Sequence, residues 1–156
     1  DTYADKLNQT HRIISSGNIP IDCIVTNKLS YAHAQHIKTT HSIFLPKDIL
    51  IDDIQLCTLI GNLFDNAIDA SMALPPQNRL IRVYMDMKGS RLYISFTNFT
   101  SQKKLGKLGR VFATTNGLGH GLGLSRIETI VEKHDGYLSF NSEDGAFTAE
   151  ILLPQE

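Results

Sequence analysis

One segment in the middle of the chain constrains the fold more than any other part of the sequence. It reads NLFDNAIDA from Asn62 to Ala70. Apolar residues recur at helical spacing before and through it, which predicts a helix with one buried stripe. That stripe comprises Leu56, Ile60, Leu63 and Ala67. Asn62, Asn66 and Asp69 follow at i, i+4 and i+7 on another face, so the helix packs on a core and presents a polar row.

The boundaries of this helix are also readable. Asp52 is a favourable N-cap residue, and Gln55 three residues later predicts a capping box. The helix is expected to run until Pro75 and Pro76, because proline and the residue before it disfavour helical backbone.

A second segment, GLGHGLGLS from Gly117 to Ser125, places four alternating glycines directly before an apolar helical pattern. Glycines let backbone N–H groups approach a phosphate, and a helix start adds free N–H groups and the positive end of its dipole. The segment predicts an anion cradle, with a flexible loop as the alternative. It is neither a Rossmann fingerprint nor a P-loop, because no clear strand feeds into it and no GKS or GKT ending follows.

The first third of the chain predicts two helices and a strand. A short polar helix, or the tail of a longer one, covers residues 5–16 and closes at Gly17 and Asn18. A second helix is expected from Asp22, and β-branched and aromatic residues from Thr39 to Leu45 predict an edge strand. One side of the second helix carries Val25, Leu29, Ala32 and His36.

The rest of the chain predicts two hairpins, a loop and a helix. Alternation predicts strands over residues 81–87 and 92–96, and a final hairpin over 137–141 and 146–153. Periodicity is lost between residues 97 and 123, as in a lid or binding loop. A helix should follow from Leu122 to Lys133 and stop at Gly136.

This order of elements predicts an α/β two-layer sandwich: a mixed, mainly antiparallel sheet with helices on one face. A doubly wound parallel fold fits less well, because it needs a helix between most successive strands. The length of 156 residues fits one domain with one core.

Composition excludes several functional classes. The net charge of -1, from 15 basic and 16 acidic residues, offers no broad attraction for nucleic acid or anionic lipid. No apolar run approaches the roughly 20 residues that cross a bilayer. Cys23 and Cys57 lack the spacing of a zinc or redox site, and both are expected to be reduced core residues.

The two segments together resemble the N box and second glycine box of the GHKL superfamily. That superfamily comprises the ATP-binding domains of sensor histidine kinases, gyrase-type topoisomerases, a class of heat-shock chaperones and mismatch-repair ATPases. Further stretches are most similar to the bacterial sensor kinases related to citrate sensors and quorum-sensing peptide receptors. These stretches are NKLSYA, TTN with HGLGL, HDGYLSF and GAFTAEILLP.

The resemblance implies a Bergerat fold with a site for ATP and Mg²⁺. Asn66 would be the magnesium ligand, and Asn62 its neighbour in a catalytic pair, with Asp69 close enough to orient waters. Asn98 stands where the family's DxGxG box has the aspartate that binds adenine, and its side-chain oxygen could accept the N6 hydrogen. The phosphate side would comprise Thr115, Gly117, Gly119, His120, Gly121, Leu122 and Gly123.

The same resemblance implies the reaction. ATPase branches of the superfamily carry a water-activating glutamate where this chain has Asn62. An amide is no general base near neutral pH, so transfer of the γ-phosphoryl group to a protein histidine is favoured over hydrolysis.

The implied partners are a histidine-bearing dimerisation domain of the same protein and a response regulator. Residues 1–16 would be the end of the dimerisation helix or a linker, and residues 17–156 the catalytic domain. The chain would then be the cytoplasmic part of a membrane-anchored, homodimeric bacterial sensor, with the phosphoacceptor histidine outside this sequence.

Two alternatives remain open at this point. The missing DxGxG box allows a degenerate GHKL binding module without kinase activity. A serine kinase of the anti-sigma-factor type is the other, although that type normally keeps a glutamate near the N box, where this chain has Asn62.

Overall fold

A computed structural model of the chain describes residues 16–101, 106–107 and 121–155, with the backbone alone at 106–107 and 121–123. The described helices are α1 (Ile19–Ala34), α2 (Asp53–Met72) and α3 (Gly121–Lys133), with a 3₁₀ turn at Pro76–Asn78. The described strands are β1 (Lys38–Ile43), β2 (Leu80–Lys88), β3 (Arg91–Phe99), β4 (Gly106–Lys107), β5 (Tyr137–Glu143) and β6 (Ala146–Pro154).

The strands form one sheet in the order β1-β2-β3-β6-β5-β4. β1 pairs with β2 in parallel, and the other four strand pairs are antiparallel. Because parallel neighbours need a crossover, α2 connects β1 to β2 across the sheet face. The predicted mixed, mainly antiparallel sheet and both predicted hairpins are confirmed.

The helices cover one face of the sheet and the core lies between the two layers. Alternate residues of β3, from Leu92 through Phe96, are buried on that face, and they pair across the ladder with buried or partly buried residues of β2 and β6. Phe64 of α2 meets Phe96 edge to face, with ring centroids 4.8 Å apart. The two-layer α/β sandwich predicted from the sequence is confirmed.

The start of α1 differs from the prediction. The helix begins at Ile19, not Asp22, because the Asn18 side chain accepts a hydrogen bond from the Ile21 N–H and Pro20 occupies the first turn. Asn18 therefore opens this helix, and the helix predicted over residues 5–16 lies outside the described residues except for Ser16. His36 lies beyond its end, in a turn with φ of 59°, while Val25 belongs to the buried face as predicted.

The start of α2 is confirmed, but its capping box is not. Asp52 accepts a 2.8 Å hydrogen bond from the Gln55 N–H. The Gln55 carboxamide does not return to the cap; it bonds the His134 imidazole at the far end of α3. The helix ends at Met72, before the two prolines.

The end of α3 depends on two residues after Lys133. Asp135 takes the left-handed conformation, with φ of 54°, and the Gly136 N–H donates to the Val131 carbonyl over 2.8 Å. Gly136 also packs tightly, since a Cβ there would come within 2.8 Å of the Leu152 oxygen. The predicted stop is confirmed, although the glycine serves close packing and Asp135 supplies the turn.

The cysteine prediction is wrong in part. Both thiols are free, but Cys23 is exposed rather than in the core, and Cys57 is half-buried. Burial, followed by the nearby charge of Asp53, raises the pKa of the Cys57 thiol. Within the described ranges, none of the helices has the length and apolar character to cross a membrane.

Candidate functional site

A small cavity between the helices and the sheet brings together two of the predicted site residues, Asn66 and Asn98. Its volume is about 20 Å³, room for roughly one water molecule. The remaining walls are apolar and come from α2, β3, the first turns of α3 and the last hairpin. They are Leu63, Ala67, Phe96, Leu124, Phe140, Phe147 and Ala149. Segments far apart in the sequence therefore converge on one space that carries an amide on each side.

Asn98 reaches this cavity because of strand alternation. It follows Leu92, Ile94 and Phe96 on the helix-facing side of β3 and is 4% exposed. Its Nδ2 donates to the Phe99 carbonyl over 3.1 Å. Since two oxygens would repel at that contact, the orientation of the amide is fixed and Oδ1 is left to accept from a ligand.

The backbone of α2 fixes the orientation of the Asn62 amide and the position of Asn66. Asn62 donates from Nδ2 to the Thr58 carbonyl over 2.9 Å, one turn earlier on the helix. Because this bond engages the amide nitrogen, the side-chain oxygen of Asn62 is oriented away from the Thr58 carbonyl and can act as an acceptor or ligand. Asn66 follows one turn later and is half-buried at the cavity wall. The two side chains thus offer amide oxygens, which are ligands that magnesium accepts.

Asp69 does not line the cavity with Asn66. It lies at a separate groove between α1 and α2, whose walls include Tyr31, Lys28 and Ile68. Asp69 lies three positions after Asn66, a rotation of about 60° on a helix, and it lines the groove with α1 while Asn66 lines the cavity with the sheet and α3. Its predicted role in orienting metal waters stays a prediction.

The glycine segment falls only partly within the described residues. Thr115, Gly117, Gly119 and His120 lie outside them. The backbone of the other predicted phosphate-side residues forms the first turn of α3; these are Gly121, Leu122 and Gly123. The next residue, Leu124, is buried at the cavity wall, so this helix starts beside Asn66 and Asn98.

Sequence reasoning missed the walls contributed by the last hairpin. Phe140 and Phe147 stack with ring centroids 5.6 Å apart and close the cavity from the β5–β6 side. The sequence predicted the hairpin that carries them, but it gave no sign of which end of the sheet the two rings occupy. That information comes from the register, where Phe147 pairs with Asn98.

The polar groups at this cavity have the chemistry that binds a purine base, but the space itself is too small to hold one. An oriented amide oxygen on an otherwise apolar, aromatic-lined wall can recognise an exocyclic amino group. At about 20 Å³ the cavity is far below the roughly 300–1,000 Å³ of sites that enclose a drug-sized ligand, so the described residues form only a small part of a site for a whole nucleotide.

Comparison with known families identifies the class of this fold. A family model described as the GHKL domain matches residues 51–154, about two thirds of the chain. The chain therefore belongs to the GHKL domain family, and the family resemblance found in the sequence is confirmed.

The chain is similar to several bacterial kinases. It is 28% identical over 137 residues to sporulation kinase B of Bacillus subtilis, which covers 84% of this chain and 31% of that protein. It is 29% identical over 106 residues to a probable C4-dicarboxylate sensor kinase of Halalkalibacterium halodurans, which covers 65% of this chain and 20% of that protein. The chain thus spans less than a third of the length of these relatives.

Solved structures show the same fold at low sequence identity. The catalytic domain of histidine kinase ThkA superposes with a TM-score of 0.69 at 16% identity, covering 90% of this chain and 94% of that one. The histidine kinase AdeS of Acinetobacter baumannii gives a TM-score of 0.67 at 12% identity, covering 88% of this chain and 64% of that one. The fold is therefore that of histidine kinase catalytic domains.

Proposed function

We propose that this chain is the ATP-binding catalytic domain of a sensor histidine kinase. In this proposal it binds Mg-ATP and donates the γ-phosphoryl group to a histidine on a separate dimerisation domain. The observation that carries the proposal is the cavity that Asn66 of the N-box helix shares with Asn98 of β3 and with the first turns of α3. The names of the related kinases support it.

In this proposal, different residues hold different parts of the nucleotide. Asn98 accepts the N6 hydrogen of adenine, because the Phe99 carbonyl keeps its nitrogen engaged. Asn66 supplies an oxygen to Mg²⁺, and Asn62 orients its waters; Asp69, which lines the groove with α1, takes no part. On the phosphate side we place the backbone of Gly117, Gly119, Gly121 and Gly123, with Thr115, His120 and Leu122.

The proposed transfer to histidine, rather than hydrolysis, follows from the absence of a general base in the N box. Mg²⁺, when bound, neutralises charge on the phosphates during transfer. Asn62 cannot remove a proton from water near neutral pH, so a water molecule beside it is not activated. The protein contributes positioning and charge compensation, and the acceptor is a nucleophile that needs no base from this domain.

The partners in this proposal lie outside the chain. Residues 1–16 form the end of the dimerisation helix or a linker, and residues 17–156 form the catalytic domain. The histidine-bearing domain belongs to the same protein, a response regulator receives the phosphoryl group next, and the parent protein is a membrane-anchored sensor with this domain in the cytoplasm.

Titration calorimetry with ATP, with and without magnesium, tests the proposal. We expect wild-type protein to bind Mg-ATP, and Asn66→Ala to lose about tenfold or more of that affinity while its affinity for metal-free ATP stays close to that of wild type. The matched control is Asn27→Ala, which removes an exposed amide on α1 and should leave both affinities unchanged.

Two results would contradict the proposal. If wild-type protein shows no heat of binding at millimolar Mg-ATP, the chain is a binding module that has lost its nucleotide. If Asn66→Ala binds ATP as well as wild type with and without magnesium, Asn66 is not the metal ligand.

A further inference from the structure

The helix that carries the N box, α2, contacts α1 at three points along its length. Near the start of both helices, Asn18 Nδ2 donates to Asp53 Oδ1 over 3.1 Å. In the middle, Ile24 packs so closely that its Cδ1 lies 3.2 Å from where a Cβ of Gly61 would be.

The third attachment is an ion pair, in which Lys28 Nζ donates to Asp65 Oδ1 over 2.6 Å. Residue numbers increase together along the two helices from one attachment to the next, so α1 and α2 run parallel.

These attachments lie on one side of α2. Positions 53, 61 and 65 are separated by eight and then four residues, about two turns and then about one turn, which places them along the same side of the helix. The contact with α1 therefore helps to fix the rotation of α2 about its own axis, together with its packing on α3 and the sheet. Asn62 directly follows Gly61, and Asn66 directly follows Asp65. A rotation of α2 would move both amides relative to Asn98, which is fixed in the sheet.

We propose that Lys28 is a positioning residue of the nucleotide site: through its ion pair with Asp65 it holds the turn of α2 that presents Asn66 to Mg²⁺. The inference rests on the proposed function, because the metal and nucleotide are part of it. Lys28 lies outside the cavity that Asn66 and Asn98 share, and it acts on the site through Asp65.

Because this ion pair is exposed, its effect on the position of Asn66 can be measured separately from its effect on the stability of the fold. The side chains of Lys28 and Asp65 are 29% and 55% exposed, and pairs this accessible contribute little to the stability of a fold. Displacements on the order of 1 Å can cost up to about 100-fold in function when they alter the geometry of reacting groups. Loss of the pair should therefore affect metal-dependent binding more than unfolding.

The experiment compares Lys28→Met, Asp65→Asn and the exchanged pair Lys28→Asp with Asp65→Lys. Each is titrated with ATP in the presence and absence of magnesium, and its Tm is measured without nucleotide. We expect both single variants to lose roughly tenfold in Mg-ATP affinity, with metal-free affinity and Tm close to wild type. The exchanged pair should recover most of the lost affinity. Lys47→Met, at an exposed lysine before α2, is the control and should match wild type.

Three outcomes overturn the inference. Single variants that bind Mg-ATP as wild type does show that the pair does not position Asn66. Equal losses with and without magnesium, or a lower Tm without a metal-specific loss, assign Lys28 a structural role only. Absence of Mg-ATP binding by the wild-type protein overturns both this inference and the proposed function. The other outcomes overturn this inference alone, so the two failures are distinguishable.

Discussion

At the scale of single residues, His41 is a half-buried titratable group outside the proposed site. It lies on β1, opposite Val83 of β2, and its Nδ1 is buried without a hydrogen-bond partner among the described residues. Burial lowers the pKa of this imidazole below its usual value. The folded protein therefore favours the neutral ring, whereas the unfolded chain takes up a proton near the ordinary pKa of about 6.5.

The sign of the resulting pH dependence follows from linkage. The unfolded state binds more protons in the interval between the two pKa values, so stability is complete above about pH 6.5 and falls as pH decreases through it. We expect His41→Val to lose less stability than wild type between about pH 7.5 and about pH 5.5. Urea midpoints at the two values measure this. His33→Gln, on the exposed side of α1, is the control, and an equal loss in wild type and His41→Val would contradict the assignment.

At the scale of elements, local sequence signals located the helices and strands better than their partners. The caps at Asp52 and the stop at Gly136 were readable because capping and turn chemistry act within a few residues. The bond between Gln55 and His134 was not readable, since these residues are 79 positions apart and meet only when α3 packs on α2. The start of α1 was misplaced because Asn18 was assigned to the element before it.

Gly136 gives an element-scale prediction. A Cβ at this position would approach the Leu152 oxygen and the Leu153 side chain at 2.8 Å, where α3 meets β6. Gly136→Ala should therefore destabilise the fold by about 1–3 kcal/mol, the usual cost of overpacking. Urea denaturation measures the change.

The matched control for this prediction is Gly89→Asn. A Cβ at Gly89 would have no other atom within 4 Å, and asparagine tolerates its left-handed φ of 62°, so a loss below about 1 kcal/mol is expected. Equal losses in both variants would show that close packing is not what Gly136 provides.

At the scale of the whole molecule, the sequence predicted the layers, the mixed sheet and the family. It could not give the strand order, because β3 and β6 are neighbours in the sheet but distant in the chain. For the same reason the cavity walls at Phe140 and Phe147 were not predicted, whereas Asn66 and Asn98 were. Asp69 shows that helical spacing alone does not identify site residues. It follows Asn66 on the helix as predicted, yet it lines the groove between α1 and α2.

The proposed function predicts that catalysis is divided between separate parts of the parent protein. With labelled Mg-ATP, this chain alone should accumulate little protein phosphate, because the acceptor histidine lies elsewhere. Addition of the histidine-bearing dimerisation domain in trans should yield phosphate on that domain that is labile in acid and stable in alkali. The control is the same domain with its acceptor histidine replaced. Acid-stable phosphate on serine would contradict the histidine kinase assignment and support the serine kinase alternative.

The crossover from β1 through α2 to β2 has a mechanical consequence. β1 is the edge strand of the described sheet, and α1 directly precedes it. A pull on the chain before Asn18 therefore reaches α1 and β1 first, and α1 contacts the helix that carries the two amides. The order of connections therefore makes this edge the first part of the described domain to carry tension from upstream, before the central hairpin is loaded.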